Sequence, residues 1–284
     1  MKISIYTLLL IILLCFCSCE QTIDFDLNNQ ENARLVVEGQ ITDQAKAHTV
    51  KLTRTSSYYE NEPAPTETGA NVFLFDGTVT HTLTETDPGI YQTASNFKGE
   101  IGKTYTLSIN TVNNKNYSAT STLAAVSTID SLTVSFEEPE KGGGKDDESY
   151  VLNLRHYGPE PATLGNNYIW LISLNDSNLT ETVTDIPFIS DEYSNGNYFN
   201  GYTINEVFEE DIPLTDSLFY EVELHSISRK YHDFLLAILI ETEFNGSIFS
   251  GPPANIPSNI SNGALGFFRA SAVYTKSIVI ENPL

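Results

Sequence analysis

Cysteine stands at positions 15, 17 and 19 of this 284-residue chain and nowhere else. A thiol at such a place suits acylation, the chemistry that ties an exported protein to a membrane. That processing needs a small residue just before the modified cysteine. Ser18 precedes Cys19, whereas bulky Phe16 precedes Cys17 and bulky Leu14 precedes Cys15. Upstream, Lys2 supplies a positive charge, and residues 3–14 are mostly apolar, interrupted by Ser4, Tyr6 and Thr7. This is the pattern of a secretory signal. It is shorter than the about 20 apolar residues a spanning helix needs. The expectation is therefore a signal peptide over residues 1–18, removed before Cys19, and a lipid anchor and tether over residues 19–32. The plain alternative is an ordinary cleaved signal with chance cysteines. Several acyl chains on one cysteine hold a protein on a membrane, because each buried CH₂ contributes about 0.8 kcal/mol. Residues 20–284 lack cysteine, so the mature chain forms no intrachain disulfide and must draw its stability from core burial.

Other reactive constellations are missing. There is no Gly-x-Ser-x-Gly elbow and no His-Glu-x-x-His. The five histidines are scattered at 48, 81, 156, 225 and 232, without metal-ligand spacing. Asp146, Asp147 and Glu148 sit in a Gly-rich charged stretch that lacks the Asp-x-Asp-x-Asp-Gly pattern of a calcium loop. No phosphate-cradling loop or dinucleotide fingerprint occurs. No metal and no cofactor is expected, and the chain reads as a non-enzyme. Carboxylates are plentiful, but nothing in their spacing picks out a hydrolytic pair. The five Asn-x-Ser/Thr sequons, at Asn116, Asn175, Asn178, Asn245 and Asn259, read as by-products of composition. A formal charge of −22 repels phosphates and argues against nucleic-acid binding.

Two segments have the composition of a binding surface. Tyr193, Tyr198, Phe199, Asn200 and Tyr202 fall in or directly beside a polar, aromatic stretch expected to be a loop over residues 191–201. Pro252, Pro253, Asn259, Asn262, Phe267 and Phe268 fall in or beside a proline- and asparagine-rich stretch. Aromatic rings give contact area and amides give paired donors and acceptors, which suits peptides, glycans or a protein partner. The competing reading is structural: the prolines stiffen a long crossover and the asparagines satisfy its backbone.

The elements that must position these residues are mainly strands. Residues 35–42 (LVVEGQIT), 50–55, 70–75, 79–84, 90–93, 105–110 and 117–122 alternate apolar and polar side chains, and Asp76-Gly77 and Asp87-Pro88-Gly89 punctuate them as turns. They predict a β-sandwich domain over residues 33–126. Residues 129–136, 150–157, 168–174, 220–226, 264–274 and 277–280 predict a second, antiparallel, barrel-like β-domain over residues 127–284. One helix interrupts them, at about residues 229–244. Ser228 can cap it, and Tyr231, Phe234, Leu235, Ile238 and Thr242 share a face. Asn245-Gly246 is a stop. Glu241 and Glu243 argue against a membrane-surface role for this helix.

Several stretches, in order along most of the chain, resemble a family of Bacteroidota-type lipoproteins of unknown function, often encoded beside TonB-dependent outer-membrane receptors. They are LVVEGQITD (35–43), GANVFLFDG (69–77), GIYQT (89–93), GKTYTLSI (102–109), IDSL (129–132), YFNG (198–201), HSISRKYHDFL (225–235) and SGPPANIPSNISNGALGFF (250–268). The resemblance implies an N-terminal immunoglobulin- or transthyretin-like domain, a C-terminal β-rich domain, and a place at the outer membrane. It implies no catalytic residues. Glu20, Asp24 and Asp26 beside Cys19 resemble an acidic surface-export signal, which favours outward display. The expected role is a lipid-anchored accessory that captures nutrient for a TonB-dependent receptor. A structural or adhesive surface module and an envelope hydrolase are the alternatives.

Overall fold

The computed structural model describes residues 33–56, 63–137, 150–243 and 255–284. The signal peptide, Cys19 and the tether lie outside them, as do the acidic triplet 146–148, the Asn245-Gly246 stop, and Pro252 and Pro253. The first strands form where the alternation is strongest. In β1 (Leu35–Thr42), Leu35, Val37 and Ile41 are buried and Glu38 is exposed. β2 (Thr49–Arg54), β3 (Asn71–Phe75), β4 (Thr80–Asp87), β5 (Ile90–Gln92), β6 (Thr104–Asn110) and β7 (Asn116–Thr122) come next, and β3, β6 and β7 show the same alternation. The β3–β4 turn is fixed by Asp76, whose Oδ1 accepts the N–H groups of Thr78 at 2.8 Å and Val79 at 2.7 Å. Those bonds, the Val79 one foremost, hold its carboxyl down at about 2.

β8 (Ser131–Glu137) and β9 (Val151–Pro159) start the second half. They are followed by β10 (Asn167–Leu174), the short β11 (Ser177–Asn178) and β12 (Phe188–Ser190), β13 (Tyr198–Phe208) and β14 (Ser217–Ser226). Helix α1 (Arg229–Glu243) comes next, then β15 (Leu265–Ser271) and β16 (Val273–Glu281). Ser228 caps α1, its Oγ accepting the Tyr231 N–H at 3.2 Å. The described residues are thus mainly β with one packed helix. Among the described residues no helix is long and apolar enough to cross a membrane.

Eight strands make one sheet in the order β15-β1-β2-β5-β4-β3-β6-β7. Its two ends nearly meet. The Ala270 N–H donates to Ser121 Oγ at 2.9 Å, and Ala124 bridges Ser271 in parallel. The sheet curls into a barrel-like shape that leaves little open edge. Its interior holds Leu52, Leu74, Leu107, Tyr105 and Phe268. In the second half, β13-β9-β8 and β11-β10-β14-β16 enclose another core around Trp170, Tyr220 and Leu224. The described residues 34–55 and 63–284 group as one compact unit.

Two placements differ from the sequence pattern. Residues 198–208, expected as loop in their first part, form β13. Register shifts against β9 at Asn200/Tyr202 and Thr203/Asn205 break the two-residue period that would have announced a strand. β15, grouped by sequence with the second half, lies parallel to β1, with Val37 opposite Gly266 and Gln40 opposite Arg269. A parallel pair needs no turn between its strands, so no local signal marks it.

Candidate functional site

The outward side chains of β1 and β15 face α1. Alternation turns Gly266, Phe268 and Ala270 toward the core, and Leu265, Phe267 and Arg269 the other way. Opposite them in register stand Val36, Glu38 and Gln40. Helix α1 lies across this face. Leu235 is its one buried residue and packs with Ile169 and Ile227. Tyr231 and Phe234 close on Phe267 at 5.1 and 5.2 Å between ring centroids. A cleft of about 630 Å³ remains between helix and sheet. Val183, Ile186 and Ile238 add apolar wall, while Gln40, Thr49 and Arg269 add polar groups. Its lining also carries Lys51 and Glu38, paired at 3.3 Å.

Arg269 is 7% exposed. Its Nη1 donates to Ser271 Oγ at 3.1 Å and contacts His225 Nδ1 at 3.3 Å. Its Nη2 donates to Gln40 Oε1. The guanidinium lies over the Tyr231 ring, 5.3 Å from its centroid. His225 Nε2 meets Glu223 Oε2 at 3.0 Å, and Gln44 Nε2 donates to the other Glu223 oxygen at 3.1 Å. A guanidinium can only donate. Nδ1 therefore accepts, and Nε2 carries the imidazole proton toward Glu223. Burial pushes His225 down to about 4, and the His225 bond holds Glu223 down at about 2. At neutral pH the row reads carboxylate, neutral imidazole, guanidinium. It resembles the Glu–His half of a hydrolytic triad, but the ring nitrogen that would take a proton faces a cation instead of a hydroxyl. Among the described residues no three His, Cys, Asp or Glu side chains gather as a metal site.

The residues singled out from sequence are divided between different sheets. On β13, Tyr198 and Tyr202 are exposed, and the Tyr198 hydroxyl donates to Asp130 at 2.9 Å. Asn200 is exposed beside them. Phe199 is buried against His156 and Trp170. Tyr193 ends a single 3₁₀ turn, Asp191–Tyr193. Asn259 holds the crossover onto β15: its Oδ1 accepts the Phe268 N–H at 3.0 Å, and its Nδ2 donates to the Phe268 carbonyl at 2.7 Å. Asn262 takes φ 55° and donates to the Asn116 carbonyl at 2.6 Å. Phe268 is core. Asn259 and Phe267 line a second hollow of about 570 Å³ beside the crossover. Of all these residues only Phe267 lines the cleft under α1. Arg269 and Gln40 went unmarked in the sequence, because what distinguishes them is a partnership across 229 positions. Tyr231, Phe234 and Ile238 were legible as the apolar face of the helix.

Fold and cleft together define a mainly β protein with an amphipathic helix clamped over the outside of a nearly closed sheet. Residues 20–277 match the model of a family described as Domain of unknown function (DUF4249), and the chain belongs to that family. A search of curated proteins finds no match. Among solved structures, a chain of a cytokine receptor complex is 10% identical, with 70% of this chain and 86% of that one covered and a TM-score of 0.24. The Yersinia pseudotuberculosis adhesin InvE is 15% identical, with 69% and 55% covered and a TM-score of 0.21. At these scores neither likeness bears on fold or function.

Proposed function

We propose that this protein is a lipid-anchored, non-catalytic binding protein of the cell envelope. It is held at the outer membrane through acylated Cys19, faces outward, and serves a TonB-dependent receptor by capturing a nutrient. The observation that carries binding over catalysis is the cleft under α1. Its walls are aliphatic and aromatic, and a few polar groups converge at one end, as in small-molecule binding sites. The buried imidazole–carboxylate pair beside it, His225–Glu223, is turned toward Arg269. Support for the anchor is the Ser18-Cys19 junction after an apolar run. Support for the receptor partnership is the resemblance of several stretches to those of envelope lipoproteins often encoded beside such receptors.

The test is co-purification. The tagged full-length protein, expressed from its own signal and extracted in mild detergent, is expected to bring down the TonB-dependent receptor encoded beside it. Cys19→Ala should abolish that recovery. Absence of the receptor from the wild-type preparation would count against the accessory role.

A further inference from the structure

We infer that the cleft under α1 takes a small apolar molecule carrying one carboxylate, with its head group on Arg269 and its body along Tyr231, Phe234 and Ile238. This rests on the binding-protein reading above and adds the chemical class of the ligand.

The argument starts from the donors of Arg269. A guanidinium has five N–H groups. Gln40, Ser271 and His225 engage three of them. Among the described residues the Nε–H and one Nη2–H find no acceptor. All three engaged acceptors are neutral, so no carboxylate touches this side chain, although it is 7% exposed. Glu223 offsets its charge only through the intervening imidazole. Buried guanidinium groups are stabilised by direct pairing with an anion, and two free N–H groups match the two oxygens of one carboxylate. A phosphate dianion would leave charge unmatched, because the second cation of the cleft, Lys51, is already paired with Glu38. Among the described lining residues there are two cations and one anion. The lining thus carries one more positive than negative side chain in a chain of formal charge −22, which matches a singly charged anion. Tyr231, with its ring centroid 5.3 Å from the guanidinium, places an aromatic ring beside the head group. Most of the remaining lining is hydrocarbon and ring, which recognises an apolar body, and about 630 Å³ accommodates one.

The probes are 4-phenylbutyrate and its uncharged counterpart 4-phenylbutanol. They are titrated calorimetrically into the mature acylated protein in lipid nanodiscs, with empty nanodiscs subtracted. The acid is expected to bind one to one and at least about tenfold more tightly than the alcohol, the preference worth about 1.4 kcal/mol. Arg269→Gln should erase the preference while the alcohol still binds. Ile238→Trp, which fills the apolar end, should remove both. Equal binding of acid and alcohol to the wild type overturns the inference without needing any variant, as does retention of the preference by Arg269→Gln. Failure of the acid to bind the wild type also overturns it. Receptor co-purification is read independently, so the accessory role can stand when the carboxylate class falls.

Discussion

Gly266→Ala is expected to destabilise the protein far more than the loss of one flexible residue accounts for. Gly266 has φ 84°, and a Cβ built there overlaps the Val37 carbonyl oxygen, with Val37 C at 2.9 Å and N at 3.0 Å. Those neighbours are backbone of β1 and cannot rotate away. Alanine in a left-handed conformation costs about 1–2 kcal/mol by itself. Relieving the overlap requires β15 to move off β1. That weakens hydrogen bonds worth about 0.5–1.5 kcal/mol each along a pairing that runs from Val36 to Thr42. It also disturbs the seat of fully buried Phe268. Together these give about 3–5 kcal/mol. Gly263→Ala is the internal control. Gly263 has φ 72° with nothing within 4 Å of its Cβ direction, so only the conformational cost, about 1–2 kcal/mol, applies. Urea unfolding of the chain from Glu20 onward measures both. With a slope of about 3 kcal/mol per molar urea, Gly266→Ala lowers the midpoint by about 1–1.7 M and Gly263→Ala by about 0.5 M. Equal midpoints in the two variants would refute the close approach of β15 and β1, and with it the near closure of the eight-stranded sheet.

Acid should weaken the fold in a defined window. Burial holds His156 and His225 at about 4, below the ordinary imidazole value of about 6.5, so the unfolded chain binds protons that the folded chain refuses. Stability is then full above pH 6.5 and falls as pH drops toward 4, by on the order of 3 kcal/mol from His156 alone; urea midpoints at pH 7.5, 6 and 4.5 test this, and a flat profile contradicts it. Glu223, held at about 2, contributes stability that is present above its ordinary carboxylate range and is lost only below that window. Leu235→Ala removes the one buried side chain of α1 and should cost about 2–5 kcal/mol. The helix amides are expected to exchange at least about tenfold faster than in the wild type, with those of β10 less affected; unchanged helix protection would show that α1 is not held by this contact.

How far the sequence carries can be followed residue by residue. β1 and the Asp76-Gly77 turn are local physics: alternation buries Leu35, Val37 and Ile41, and the Asp76 carboxylate captures the next two amides it can reach. Helix α1 was legible for the same reason, with its Ser228 cap and a face of Tyr231, Phe234, Leu235 and Ile238. β13 was hidden because two register shifts displace its side chains from the alternating pattern. The crossover asparagines have ordinary backbone work: Asn259 imitates a strand neighbour of Phe268, and Asn262 supports a left-handed turn. The cleft was not legible at all. It exists because β15 crosses back to lie along β1, which sets Arg269 opposite Gln40, and no composition or spacing in ALGFFRAS signals that return.

The proposed function depends most directly on a covalent bond outside the described residues. Cells grown with labelled palmitate should incorporate label into the wild-type protein and none into Cys19→Ala, and mass spectrometry should find a mature chain that begins at acylated Cys19 with residues 1–18 gone. Label retained by Cys19→Ala, or a mature N-terminus at any other residue, would contradict the envelope anchor and the receptor role that depends on it.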